Sequence, residues 1–213
     1  MLISVILPAY NVQDTIGESI DSILSQTFTD FELIIINDGS QDNTEEVILA
    51  YSDKRIRYYQ NEQNKGLIYT LNRGLDLAQG KYIARMDADD VSLPTRFEKQ
   101  VKVMEENSNI VVCGTLIEPF GVKGTEKIEM LLLEKSDDIK DCLFLRSCFA
   151  HPTVMIRKKV LVDNNVRYNL DYPYAEDYRM WIDLSFLGDF YNIQEPLLRY
   201  RLSEGQVLSL IHI

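Results

Sequence analysis

The first 120 residues alternate short, β-rich apolar runs with segments of helical period, and this alternation constrains the fold more than any other feature of the chain. ISVILPAY opens the series, too continuously apolar for a strand with one wet face. Residues 14–26 follow, with Ile16, Ile20, Ile23 and Leu24 on one helical face. The pattern then repeats as FELIIIN and DNTEEVILAY, IRYYQN and GLIYTLNRGLDLA, KYIARM and LPTRFEKQVKVMEE, and a last strand NIVVCGTLI. Such a series predicts an α/β fold, with parallel strands and helices packed on both faces of the sheet. Beyond residue 120 the order loosens into a helix near 136–146, a strand HPTVMIR, a loop NLDYPYAED, a helix DYRMWIDLSFLG and a strand-like EPLLRYRL. No repeat or linker divides the chain, so one domain over residues 1–207 is expected.

Sheets of this kind bind ligands outside the carboxyl ends of their strands. Three predicted strands end in polar groups: PAYN, NDGS and DADD. In PAYN, Pro8 and Asn11 can end a strand, while Tyr10 can equally stack on a planar base. In NDGSQDNT, Asp38-Gly39-Ser40 is turn chemistry and Asp42 or Asn43 a helix cap, but a carboxylate there can also accept from a base or a ribose hydroxyl. Lys65-Gly66 opens a helix, where a lysine is either solvated or beside a phosphate.

DADD is the sharpest signal. Like charges so crowded raise the cost of ionising all of them unless a cation, backbone N–H donors or open water compensates. Asp87 and Asp89 lie two apart, so in extended backbone both point the same way and can serve one hard cation. The alternative is capping of the helix near Pro94, with Asp90 or Ser92 as the cap, although a cap needs a single acid. Further along, Glu176-Asp177 starts a helix, where acids oppose the helix dipole or one acts as a general base. HPT at 151–153 supplies His151, and the last strand supplies Arg199 and Arg201.

Bulk properties narrow the classes. With 33 acidic against 22 basic residues, net -11, the chain lacks the basic stripe that nucleic acid demands, and no nucleic-acid partner is expected. Three cysteines without C-x-x-C spacing predict neither a disulfide framework nor a zinc site, and fit a reducing, cytoplasmic compartment. No apolar run approaches the ~20 residues that span a bilayer.

Taken in order, SVILPAYN, DFELIIINDGSQDNT, NKGL, GKYIARMDADD, LPTRFEKQ and AEDYRMW resemble the family-2 glycosyltransferases of the GT-A fold, over about residues 3 to 206. The resemblance implies a Rossmann-like, mostly parallel sheet, with residues 1–120 as a nucleotide-sugar half and 121–207 as an acceptor half. It implies that Pro8, Ala9 and Tyr10 line a nucleoside pocket, that Asp38 contacts the base and that Lys65 reaches the nucleotide or its phosphates. Asp87 and Asp89 match the D-x-D motif, with Asp89 as direct ligand to Mn²⁺ or Mg²⁺ and Asp87 nearer the ribose or sugar. Asp177 matches the general base of an inverting transfer, its pKa raised by burial or by Glu176. The donor implied is a nucleotide-diphosphate sugar, a UDP-sugar favoured, and the acceptor a saccharide or lipid-linked hydroxyl in cell-surface polysaccharide assembly. One departure stands out: many members carry a His soon after a Tyr-Arg pair, whereas Tyr200-Arg201 is followed by Leu202 and Ser203.

LSLIHI, residues 208–213, resembles the translation of a transposon-end sequencing adapter, so a non-native tail is expected there. The natural chain would then continue past Val207, through a segment that completes the acceptor site or attaches the enzyme to the inner face of a membrane. Three rival readings remain at this level. A nucleotidyltransferase would announce a Gly- and Lys/Arg-rich loop that PAYNVQDT lacks. A glycosidase would use two carboxylates without metal or nucleotide. A non-catalytic module would bind the sugar nucleotide without transfer.

Overall fold

The structure is a computed structural model and describes residues 1–122 and 132–202. The expected tail at 208–213 lies outside these residues. Strands β1 (Ile3–Ala9), β2 (Phe31–Asn37), β3 (Ile56–Gln60) and β4 (Tyr82–Arg85) alternate with helices α1 (Ile16–Leu24), α2 (Thr44–Leu49) and α3 (Leu67–Leu77). A two-residue strand β5 (Val91–Ser92), α4 (Arg96–Glu106) and β6 (Ile110–Phe120) follow. The remainder comprises α5 (Ser136–Cys142), β7 (Met155–Arg157), α6 (Lys158–Asp163), α7 (Glu176–Ser185) and β8 (Asp189–Arg201).

All eight strands join one sheet in the order β3-β2-β1-β4-β7-β6-β8-β5. β1 runs parallel to both β2 and β4, β2 to β3, and β6 to β8, so the sheet is mostly parallel as the alternation predicts. The register explains the continuous apolar runs. Val5 and Leu7 of β1, with Leu33 and Ile35 of β2, point into a core beneath α1 and α4, while Ile6, Ile34 and Ile36 point into a second core with α3 and α7. Both faces are therefore dry, as period-2 geometry requires of a strand covered on both sides. α1 meets the first core through Ile16, Ile20 and Ile23, and α3 meets the second through Ile68, Leu71 and Leu75.

The second half departs from the sequence reading in its boundaries. HPT forms a 3-10 turn at His151–Thr153, leaving only Met155–Arg157 as strand. That strand is antiparallel to both β4 and β6 and ties the two halves of the chain into one sheet. β8 begins at Asp189, earlier than EPLLRYRL suggested, because Asp189 to Ile193 already pair with β6. Among the described residues no helix is long and apolar enough to cross a membrane.

Candidate active site

The loops after β1 and β2 are joined by side chains. Asn11, in the left-handed region at φ 51, donates its N–H to Ser40 Oγ at 3.0 Å and accepts the Gln41 N–H on Oδ1 at 2.9 Å. Val12 N–H donates to Thr44 Oγ1 at 2.8 Å, and Gln13 N–H to Asp42 Oδ2 at 3.1 Å. Asp42 also takes the Thr44 N–H at 3.0 Å, so one carboxylate serves both the start of α2 and the neighbouring loop.

Asp38 organises a third loop. Its Oδ1 accepts from Asn61 Nδ2 at 2.6 Å and from the Lys65 N–H at 2.9 Å, and its Oδ2 accepts the Gly66 N–H at 2.9 Å. Gly39 beside it has φ 72, and a Cβ there would lie 2.6 Å from the backbone carbon of Gln63. Only glycine lets the two loops approach this closely. The result is a cavity of about 460 Å³ whose wall includes Pro8, Ala9, Tyr10, Asp38, Asp87 and Asp89. Lys65 is the sequence-predicted residue that does not reach it. Asn64 and Gly66 line the cavity, whereas Lys65 is exposed and contributes its backbone N–H to Asp38.

The acid cluster closes one side of this cavity. Carboxylate oxygens of Asp87, Asp89 and Asp90 all lie within 4.8 Å of one another. Asp87 forms a two-pronged ion pair with the buried guanidinium of Arg85. Asp90 accepts the Arg201 N–H on Oδ1 at 2.8 Å, but its buried Oδ2 has no partner. Arg201 also donates from Nε to the Asp89 carbonyl at 2.7 Å. Burial first, and the Asp87 carboxylate second, raise the pKa of Asp89 and push Asp90 up to about 9. The cluster does not cap α4: Thr95 holds that position, without a side-chain cap bond. An all-oxygen donor set with one buried acceptor left over fits a hard divalent cation such as Mg²⁺ or Mn²⁺.

A second cavity, about 560 Å³, shares Leu67, Arg85, Asp87 and Tyr200 with the first. Its far side carries His151, Glu176 and Asp177. Asp177 sits in the first turn of α7, where its Oδ1 accepts the Tyr178 N–H at 2.6 Å. Burial raises its carboxyl pKa, against the opposing pull of the Tyr178 N–H and the Arg85 charge. The buried indole N–H of Trp181 is a nearby donor that does not meet the carboxylate in hydrogen-bond geometry. His151 Nε2 lies 2.9 Å from the Tyr168 hydroxyl. Burial and the Arg85 cation hold its pKa well below the ordinary value, so the imidazole is neutral.

Of this shared wall only Asp87 was a predicted site residue; Leu67, Arg85 and Tyr200 were not. Arg85 ends an apolar strand and is itself buried, and a cation placed there immediately before an acid cluster is the signal that could have singled it out. Tyr200 belongs to the far end of β8, and only the β5–β8 pairing brings it beside the DADD loop.

A twisted, mostly parallel sheet with two loop-lined cavities meeting at an acid cluster is the architecture of a GT-A glycosyltransferase. Comparison with known proteins agrees. Residues 4–164 match the sequence profile described as Glycosyl transferase family 2, and the chain belongs to that family. An uncharacterized glycosyltransferase of Haemophilus influenzae is 38% identical over 218 residues, which cover 98% of this chain and 68% of that protein. The O-antigen biosynthesis glycosyltransferase WbnJ of Escherichia coli is 37% identical over 209 residues, covering 94% of this chain and 80% of its own length. Among solved structures, S. aureus TarS 1–349 in complex with UDP superposes with a TM-score of 0.80 at 22% identity, over 95% of this chain and 61% of that one. The chain thus spans about two thirds of the Haemophilus protein and less of the TarS fragment.

Proposed function

We propose that this chain transfers a sugar, with inversion, from a nucleotide-diphosphate donor to a hydroxyl of a saccharide or lipid-linked acceptor. The observation that carries this reading is the common wall of the two cavities: Arg85, Asp87 and Tyr200 face both, with the acid cluster on one side and Asp177 on the other. A reaction that joins two substrates needs two sites meeting at the reacting atoms.

The first cavity is the donor site. Pro8, Ala9 and Tyr10 bound the nucleoside end, and Asp38 holds the 61–66 loop against it. The UDP complex of TarS supports a UDP-sugar as the donor to test first. Asp89, with Asp87 and Asp90 beside it, would hold Mn²⁺ or Mg²⁺. Such an ion, when bound, supplies Lewis-acid stabilisation of negative charge on a departing diphosphate. Arg85 orients the Asp87 carboxylate through their two-pronged ion pair, and Arg201 holds the loop through the Asp89 carbonyl.

The second cavity is the acceptor site. Asp177 takes the proton from the acceptor hydroxyl as its oxygen forms a bond to the anomeric carbon on the face opposite the leaving group. A raised pKa makes it a better base than a solvated aspartate while leaving it ionised above that pKa. The kinship with WbnJ supports a place in cell-surface polysaccharide assembly.

The test is calorimetric titration of the chain with UDP, GDP, dTDP and CDP, each with Mn²⁺ and with EDTA, beside Asp89→Ala. Metal-dependent binding of one nucleotide, weakened at least about tenfold in the variant, is the expected result. No binding to a folded sample would sink the donor-site assignment, and binding without hydrolysis or transfer over a wide range of acceptors would favour a non-catalytic module.

A further inference from the structure

The rim of the second cavity carries a tyrosine that the packing of the fold does not require. Tyr174 has φ 67, one of three non-glycine residues in the left-handed region among the described residues. Its ring is fully exposed, at 101% of the reference value, and its hydroxyl makes no hydrogen bond among the described residues. It nevertheless lines the cavity that holds Asp177, three positions further along. The turn is fixed from below: the Ala175 N–H donates to the Tyr172 carbonyl at 3.2 Å, and the Arg179 N–H donates to the Ala175 carbonyl at 2.9 Å. Leu145, 87% exposed, faces the same cavity. A large aromatic ring left in water on strained backbone is a cost that persists where a ligand uses it.

We propose that Tyr174 is a stacking platform for a pyranose ring of the acceptor, and so a specificity-determining residue. The inference rests on reading this cavity as the acceptor site. A pyranose has a polar rim of hydroxyls and an apolar face of C–H bonds. An aromatic face covers the second without consuming the first, leaving one hydroxyl free to meet Asp177. A tyrosine does this at low entropic cost, since two torsions fix its ring. The neighbouring Tyr172 cannot replace it: its ring lies under the Arg179 guanidinium at 5.2 Å.

The experiment is saturation-transfer NMR on the whole chain with the methyl α- and β-pyranosides of glucose, galactose, mannose and N-acetylglucosamine, without nucleotide. UDP with Mn²⁺ is titrated separately. Expected are saturation of protons on one face of at least one sugar, loss of roughly tenfold in its affinity in Tyr174→Ala, and retention in Tyr174→Phe. Tyr174→Gly should lose the sugar like the alanine variant yet melt at a higher temperature than the parent, because glycine accepts the positive φ without strain. UDP affinity should be the same in all four proteins. Equal saturation in the parent and Tyr174→Ala overturns the proposal, as does the absence of saturation for every sugar, or a parallel loss of UDP affinity in Tyr174→Ala. Failure of UDP to bind the parent would strike the donor-site reading instead, because the sugar arm is read without it.

Discussion

Replacing Asp38 separates two roles that a carboxylate at this position can play. If it acts chiefly on the base of a nucleotide, its loss reduces affinity and spares the fold. The geometry points the other way, since three protein donors already converge on it. The Asn61 bond is buried and charge-assisted, and its loss costs roughly 1.5–3 kcal/mol. The Lys65 and Gly66 amides belong to exposed residues, so water can replace the carboxylate there and each costs about 0.5–1 kcal/mol. Removing a charge that is only 4% exposed returns part of its desolvation cost, leaving a net loss of about 2–3 kcal/mol in Asp38→Ala. For a chain of this size that is a fall of roughly 5–10 °C in Tm. Asp38→Asn keeps one oxygen for Asn61 and Lys65 but turns an amide N–H towards that of Gly66, so it should recover only part of the loss. Urea unfolding followed by tryptophan fluorescence reads the stability, and UDP titration reads the site. A change below about 0.5 kcal/mol in Asp38→Ala, together with abolished nucleotide binding, would refute the reasoning.

Two further outcomes follow from the same structure. Asp177→Asn should lower kcat by about 10²–10⁴ while sparing nucleotide affinity. With Asp177 as the proposed base the active form is the ionised one, so activity should fall as pH drops through its raised pKa; the acid limb of kcat should lie above the ordinary aspartate value and be absent from any residual activity of the variant. Gly114→Ala should destabilise the fold by about 1–3 kcal/mol while leaving the first cavity untouched, because a Cβ there would lie 2.2 Å from Asn192 Oδ1 and 2.7 Å from the ring of Phe149, which lines only the second cavity. Thermal unfolding of the variant, with UDP binding as control, checks it.

How far the sequence reaches depends on whether its signals are local. Ile3 to Ala9 and Phe31 to Asn37 read correctly because strands buried on both faces carry near-continuous apolar runs. The cavity residues of the first half were legible for the same reason: they sit at strand ends, and strand ends are local features. At Lys65 a charge beside a helix start suggests a phosphate, and the sequence did not show that its backbone N–H binds Asp38, because that bond joins two loops distant in the chain. Arg96 was read as part of an ordinary amphipathic helix, yet it is fully buried and donates to the Arg85 carbonyl at 2.8 Å and to Gln100 Oε1 at 3.1 Å. Nothing in a helical period marks a buried arginine, since the Arg85 carbonyl and the Met86 sulfur that its guanidinium meets lie outside the helix. The direction of β7, the two residues of β5 and the placing of Tyr200 are likewise set by long-range pairing.

The crowding of aspartates in MDADD can now be weighed against the cations around it. Three arginines approach the loop, enough in number to balance three acids. The side-chain N–H groups of Arg96 and Arg201 go elsewhere, however. Arg96 reaches the Arg85 carbonyl, the Met86 sulfur and Gln100, and Arg201 reaches the Asp89 carbonyl and the carboxylate of Glu18. Only Asp87 forms a direct ion pair, with Arg85. Asp89 and Asp90 have no side-chain cation against their carboxylates among the described residues, and Asp90 keeps one buried oxygen without any donor. The arginines thus shape the loop without neutralising it. Two acids with raised pKa values and an unpartnered oxygen form a site at which protons and a divalent ion compete. This is why the titration with Mn²⁺ and EDTA, more than any substitution of a single arginine, tests what the cluster is for.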